Sequence, residues 1–135
     1  KKGRRFLPTF TRKSRKLNGF QLDRGRLALP HDGYFEEDPV RLLEIFQLAD
    51  LHGLEIHPLA MRAAQRDARL IDRSVQRNPR ANALFLDVLC SPRDPETVLR
   101  WMNESTVFGR FIPDFRRVVA QMQFDMYHHY TVDEH

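Results

Sequence analysis

Asp125, His128, His129 and His135 are the densest group of side chains in this sequence able to hold a divalent ion. On a helix, Asp125 and His129 stand four apart and share a face, so a carboxylate and an imidazole could grip one cation. Two ligands do not complete a site, and Met126, Tyr127 and Tyr130 interleave as the apolar filling of an amphipathic helix. The pair therefore reads as structural. His31, His52 and His57 fall at turns or helix ends without a partner at ligand spacing, and His52 near a helix C-terminus suits the negative end of the dipole. Glu36-Glu37-Asp38 and Asp133-Glu134 are carboxylate groups of the kind used as general acid and base. Both precede or open helices, where negative charge is stabilised, so capping accounts for them. Cys90 follows Leu89 at a helix end and has no adjacent base, which predicts buried filler. Trp101, Phe108, Phe111, Phe115 and Phe124 read as core rather than as a ligand cage. No GxSxG elbow, P-loop or GxGxxG occurs. No catalytic and no cofactor-binding residue is assigned.

The elements that must position these residues are punctuated by proline. It follows Asp38, His57, Asn78, Ser91, Asp94 and Ile112. Proline suits the first helical position, where its missing N–H would have had no partner, and a preceding Asp, Asn or Ser caps the next amides. These positions predict successive helix starts. One helix runs from Pro39 to Gly53, a second from Pro58 to about Arg77, and a third from Pro79 to before Ser91. A fourth opens at Pro95, with a break at Gly109, and a fifth opens at Pro113. Ahead of them, two short alternating runs flank Asp23-Arg24-Gly25-Arg26, the pattern of a small β-hairpin, and His31-Asp32-Gly33 turns the chain. A lone ribbon is only marginally stable, so it must pack on something else. The predicted fold is all-α: a bundle of about five helices preceded by a basic arm and a short hairpin.

Charge is divided unevenly. The chain of 135 residues carries 22 Lys+Arg against 18 Asp+Glu. Residues 1–16 hold eight of the basic residues and no acid, which leaves 14 basic and 18 acidic residues in 17–135, a net of −4. The high pI thus belongs to a short arm on a mildly acidic body. Such an arm can bind phosphate-rich partners by releasing counterions. Without a stacking platform or a nucleic-acid motif it reads as a solvated connector, and an independent helical module using its arm on nucleic acid stands as the alternative. One cysteine rules out a disulfide framework and a cysteine-only zinc site. No apolar run approaches the ~20 residues of a membrane span, and no signal peptide is visible, so a soluble, cytoplasmic chain is expected.

Thr131-Val132-Asp133-Glu134 is a capping box, so a new helix opens near residue 132 with His135 in its first turn. The chain lacks an initial Met and stops as this helix begins, which predicts an excised piece of a longer protein.

Two segments carry a specific resemblance. The run from Phe108 to His135, with its Gly109-Arg110-Phe111-Ile112-Pro113, Met122-Gln123 and Tyr130-Thr131-Val132-Asp133-Glu134-His135 elements, resembles the family of bifunctional protein-PII uridylyltransferase/uridylyl-removing enzymes. Glu37-Asp38-Pro39-Val40-Arg41-Leu42-Leu43-Glu44-Ile45-Phe46 is similar to the same family and to the helical segment after the catalytic domain of tRNA-nucleotidyltransferase relatives. Arg100-Trp101-Met102-Asn103-Glu104 looks like the family's Arg-x-Met-Asn element, and the likeness covers about residues 18–135.

That resemblance implies a domain order and a pair of opposed reactions. In the family, a nucleotidyltransferase domain moves UMP from UTP onto a tyrosine of the PII signal protein. An HD-type phosphohydrolase domain removes it, and ACT domains sense glutamine. This chain would be the region between the first two: an arm at 1–17, a helical linker domain at 18–130 and the opening of the HD domain at 131–135. His135 aligns with the first histidine of the HD metal site, whose His-Asp doublet and later Asp lie beyond it. The only His-Asp dipeptide present, His31-Asp32, sits in a turn, so a complete HD hydrolase is not expected. The parent would use Mg²⁺ or Mn²⁺ and UTP, while this piece holds no cofactor and is inactive alone. Its partners would be PII and the two adjoining domains, with no membrane and no nucleic acid. A basic arm beside the transferase cleft would also steer triphosphate electrostatically.

Overall fold

Two tight turns build the first layer of the molecule. The computed structural model describes residues 15–114 of the 135-residue chain. Strands β1 (Arg15–Leu17), β2 (Phe20–Asp23) and β3 (Arg26–Ala28) form an antiparallel meander, with Leu17 opposite Phe20 and Leu22 opposite Leu27. Asn18 and Gly19 (φ 52° and 95°) and Arg24 and Gly25 (φ 55° and 80°) hold both central turn positions at positive φ. That sign pattern matches the twist of the strands they join. The expected hairpin is thus present but belongs to a larger sheet. β1 draws in Arg15–Leu17, and β4 (Glu55–Ile56) joins parallel to β3, giving the order β1-β2-β3-β4. Phe20 and Leu27 are fully buried on one face.

Between β3 and β4 lie α1 (Tyr34–Glu37) and α2 (Arg41–His52). α2 buries Leu42, Leu43, Ile45, Phe46, Leu48 and Ala49, a wide apolar face that leaves only the side of Arg41, Glu44, Gln47 and Leu51 at least partly uncovered. So wide a face needs more than one neighbour, and α2 is packed by α5 (Pro79–Leu89) and α6 (Pro95–Glu104). Gly53 at φ 64° ends it, and the Leu54 amide closes back on the Ala49 carbonyl at 2.9 Å. This left-handed closure is one that glycine accepts without strain.

Proline sets three helix starts as expected: Pro58 for α3 (Pro58–Asp67), Pro79 for α5 and Pro95 for α6. Asn78 accepts from the amides of Arg80 and Ala81 at 2.8 and 3.0 Å. Pro39 differs. Asp38 turns the chain through its own carbonyl, which accepts from Arg41 N–H at 2.9 Å, and α2 begins at Arg41. Ser91-Pro92 opens no helix; Ser91 instead donates to buried Asp50 at 3.2 Å.

The helix expected over 58–77 is broken. α3 tightens into a 3₁₀ turn at Ala68–Leu70, Ile71 is extended and buried, and Asp72 caps a new helix, α4 (Arg73–Gln76). The break near Gly109 falls earlier, at Thr106 (φ 68°), because Ser105 is buried and donates to the Met102 carbonyl at 3.0 Å. Gly109 lies inside α7 (Val107–Phe111). Among the described residues there are seven α-helices rather than about five, and a four-stranded sheet rather than a hairpin. The molecule is mostly helical, as expected.

Asp72 yields a pH prediction. The Ser74 hydroxyl and then the Val75 amide hold its carboxyl below the usual carboxylate range. A depressed folded-state pKa gives stability that is complete above about pH 4 and lost as pH falls through that lower value. Asp72→Asn keeps an acceptor but removes the titration. Melting temperature plotted against pH should therefore be flatter on the acid side for the variant, and coincident acid limbs would refute the assignment.

Candidate interaction groove

A concavity of about 1220 Å³ lies between the β2–β3 ribbon and α3. On the ribbon, residues alternate across the sheet. With Phe20 and Leu27 turned into the core, Gln21, Asp23, Arg26 and Ala28 take the opposite face. On α3, Leu59, Arg62 and Arg66 recur at helical spacing and line the other wall, while Ala60 and Ala64 face the core.

The charges of the groove are partly offset. Arg26 pairs with Asp23 at 3.7 Å on the exposed rim, a contact of little energetic weight. Arg66 is held from beneath. Its Nε donates to Asp67 Oδ1 at 3.0 Å and its Nη2 to Oδ2 at 2.9 Å, a bidentate fork. Asp67 is 1% exposed while Arg66 is 61% exposed, so a buried carboxylate fixes a guanidinium that still faces solvent. Asp67 needs such neighbours, since an unpaired buried charge is costly. Arg69 adds a longer contact at 3.9 Å. Arg24 and Arg62 are exposed and make no ion pair among the described residues.

Two histidines complete the lining. His57 Nδ1 accepts from the Leu59 amide at 3.0 Å, so the neutral ring carries its proton on Nε2. His31 Nδ1 donates to the Asp32 carbonyl at 2.8 Å, its Nε2 lies 3.5 Å from Glu37, and its ring meets Tyr34 edge-on. Both thus have partners that sequence spacing did not reveal. His52 stands exposed at the end of α2, as expected. The carboxylates 36–38 are not the side-chain N-caps expected, since the N-caps of α1 and α2 are Gly33 and Val40, without a side-chain cap. Glu36 pairs instead with Arg69 at 3.6 Å, Glu37 with Arg41 at 3.0 Å and Asp38 with Arg80 at 3.0 Å.

Cys90 corrects an expectation. It is exposed at the C-cap of α5, not buried filler, because Ala81, Phe85 and Val88 form the inward stripe and position 90 falls off it. Phe108 and Phe111 are core, packed on Phe85 at 5.2 and 5.4 Å, while Trp101 is half-buried. Phe115, Phe124, Asp125, His128, His129, the Thr131–Glu134 capping box and His135 lie outside the described residues. Among those described, no group of three or more His, Cys, Asp or Glu side chains gathers to hold a metal, and no helix is long and apolar enough to cross a membrane.

Fold and groove together define a mostly helical module with a small sheet and a cationic cleft. Residues 20–111 match the family described as the third domain of uridylyltransferase GlnD, and the chain belongs to that family. It is 62% identical over 129 residues, 96% of its length, to the bifunctional uridylyltransferase/uridylyl-removing enzyme of Erythrobacter litoralis. It is 61% identical over 132 residues, 98% of its length, to the protein of the same name from Novosphingobium aromaticivorans. The chain spans 14% of the length of each of these relatives. No solved structure matches it.

Proposed function

We propose that the chain is the non-catalytic helical connector of an enzyme that transfers UMP from UTP to the PII signal protein and also removes it in response to glutamine. The observation that carries this reading is identity of 61–62% along nearly the whole chain to enzymes named for both reactions, of which it spans 14%. In that role the largely buried α2 gives a stiff unit able to hold two flanking catalytic domains at a set separation. The basic arm at 1–17, whose last three residues form β1, leads in from the transferase side, and the linker domain runs on to 130. Residues 131–135 open the HD-type domain, with His135 as its first metal ligand. Mg²⁺ or Mn²⁺ and UTP belong to the flanking domains, and the parent is cytoplasmic.

The test uses radiolabelled UTP and PII, with the chain and a full-length relative side by side. The relative should transfer and release UMP, whereas the chain alone should do neither. Turnover of either kind by the chain would overturn the connector role.

A further inference from the structure

We propose that the groove between the ribbon and α3 is a docking cleft for an acidic polypeptide segment bearing one apolar side chain, with Arg24 and Arg62 taking its carboxylates and Leu59 its apolar anchor.

Charge complementarity supports the first half. After Asp23 is satisfied by Arg26 and Asp67 by Arg66, the guanidinium groups of Arg24 and Arg62 remain exposed and unpaired among the described residues. They stand on opposite walls, one on the ribbon turn and one on the helix. An extended acidic chain lying between them meets both. Arg66, held by its buried carboxylate, adds a pre-set donor one turn beyond Arg62 at little further cost in side-chain entropy.

The apolar half rests on Leu59. It is 65% exposed, the most exposed of the large apolar side chains among the described residues. A single exposed leucine needs no explanation by itself. This one precedes Arg62 by three positions, so the two share a face of α3 and both line the groove. An apolar centre with an arginine-rich surround is the composition of a protein-binding patch.

A free phosphate or nucleotide fits less well. The N-terminus of α3 would be its natural seat, but Pro58 has no N–H and the Leu59 amide is already taken by His57 Nδ1. The groove's volume of about 1220 Å³ exceeds that of ordinary small-molecule pockets.

The experiment is fluorescence anisotropy on the full 135-residue chain. The probe is a fluorescein-labelled peptide of glutamates around one central leucine. Saturable binding that weakens with salt is expected. Arg24→Asn combined with Arg62→Glu should weaken it about tenfold or more. Asparagine tolerates the positive φ at position 24, so the turn survives. Leu59→Ala, or alanine for the peptide's leucine, should each weaken binding several-fold. Arg73→Glu on α4, outside the groove, should leave it unchanged. Melting curves verify folding, and if Arg62→Glu is unfolded, Arg62→Gln reads the same loss. Absence of saturable binding, or binding indifferent to the arginine and Leu59 changes, overturns the proposal. So does displacement by inorganic triphosphate at lower concentration than unlabelled peptide, which would assign the groove to phosphate. No UTP or uridylylated protein enters this experiment, so its failure is distinct from failure of the connector role.

Discussion

Phe46→Ala is expected to lower the stability of the chain by about 3–5 kcal/mol, the range for deleting a fully buried aromatic ring. Phe46 has no exposed surface and sits midway along α2, the helix on which α5 and α6 both pack. The void would open beside a helix that two others already hold in place, which limits how far the surroundings can collapse into it. For a domain near 100 residues, each kcal/mol shifts the melting temperature by about 4–8 °C, so the variant should melt more than ~12 °C lower. Urea unfolding of the variant beside Leu86→Ala measures the difference. Leu86 is 53% exposed on α5, and its truncation should cost little. Equal losses from the two would show that α2 is not the centre of the core.

The second large effect is at Gly19. A Cβ there would press into the Tyr34 hydroxyl, and the backbone sits at φ 95°, where side chains are strained. Tyr34 has little freedom to retreat. Its ring meets Phe20 edge-on at 5.0 Å, and the Arg41 guanidinium lies 3.8 Å over its other surface. Gly19→Ala should therefore cost about 2–4 kcal/mol, summing backbone strain and overpacking. Gly25→Ala isolates the first part, since that glycine has φ 80° with open space around it. Its loss should be nearer 1 kcal/mol. If the two alanine variants melted together, contact with Tyr34 would have no energetic weight.

Local chemistry was legible in the sequence, and long-range pairing was not. The helix starts at Pro58, Pro79 and Pro95 could be read because proline and its cap act through bonds only two or three residues long. The turn at Arg24-Gly25 was legible for the same reason. β4 was not, since two residues carry no periodicity and its partners lie 29 positions earlier. The break inside 58–77 falls just after Asp67, a buried carboxylate held by the exposed Arg66 and Arg69, and alternation of apolar and polar residues cannot signal a buried acid. Residue types and spacing pointed to the histidines and acids near the C-terminus and missed the groove altogether. One wall of the groove comes from residues 21–32 and the other from 57–66, two stretches that no local pattern brings together. The recurrence of Leu59, Arg62 and Arg66 at helical spacing was the one available hint.

The parallel rung between β3 and β4 carries its own consequence. The amides of Glu55 and His57 donate to the carbonyls of Gly25 and Leu27, and everything from α1 to the end of α2 is looped between them. Closing this rung ties together residues 29 apart, an entropic cost that contacts made within the loop, those of α2 above all, must offset. Strand β4 and helix α2 thus depend on each other: the helix fills the loop whose two ends the rung holds together.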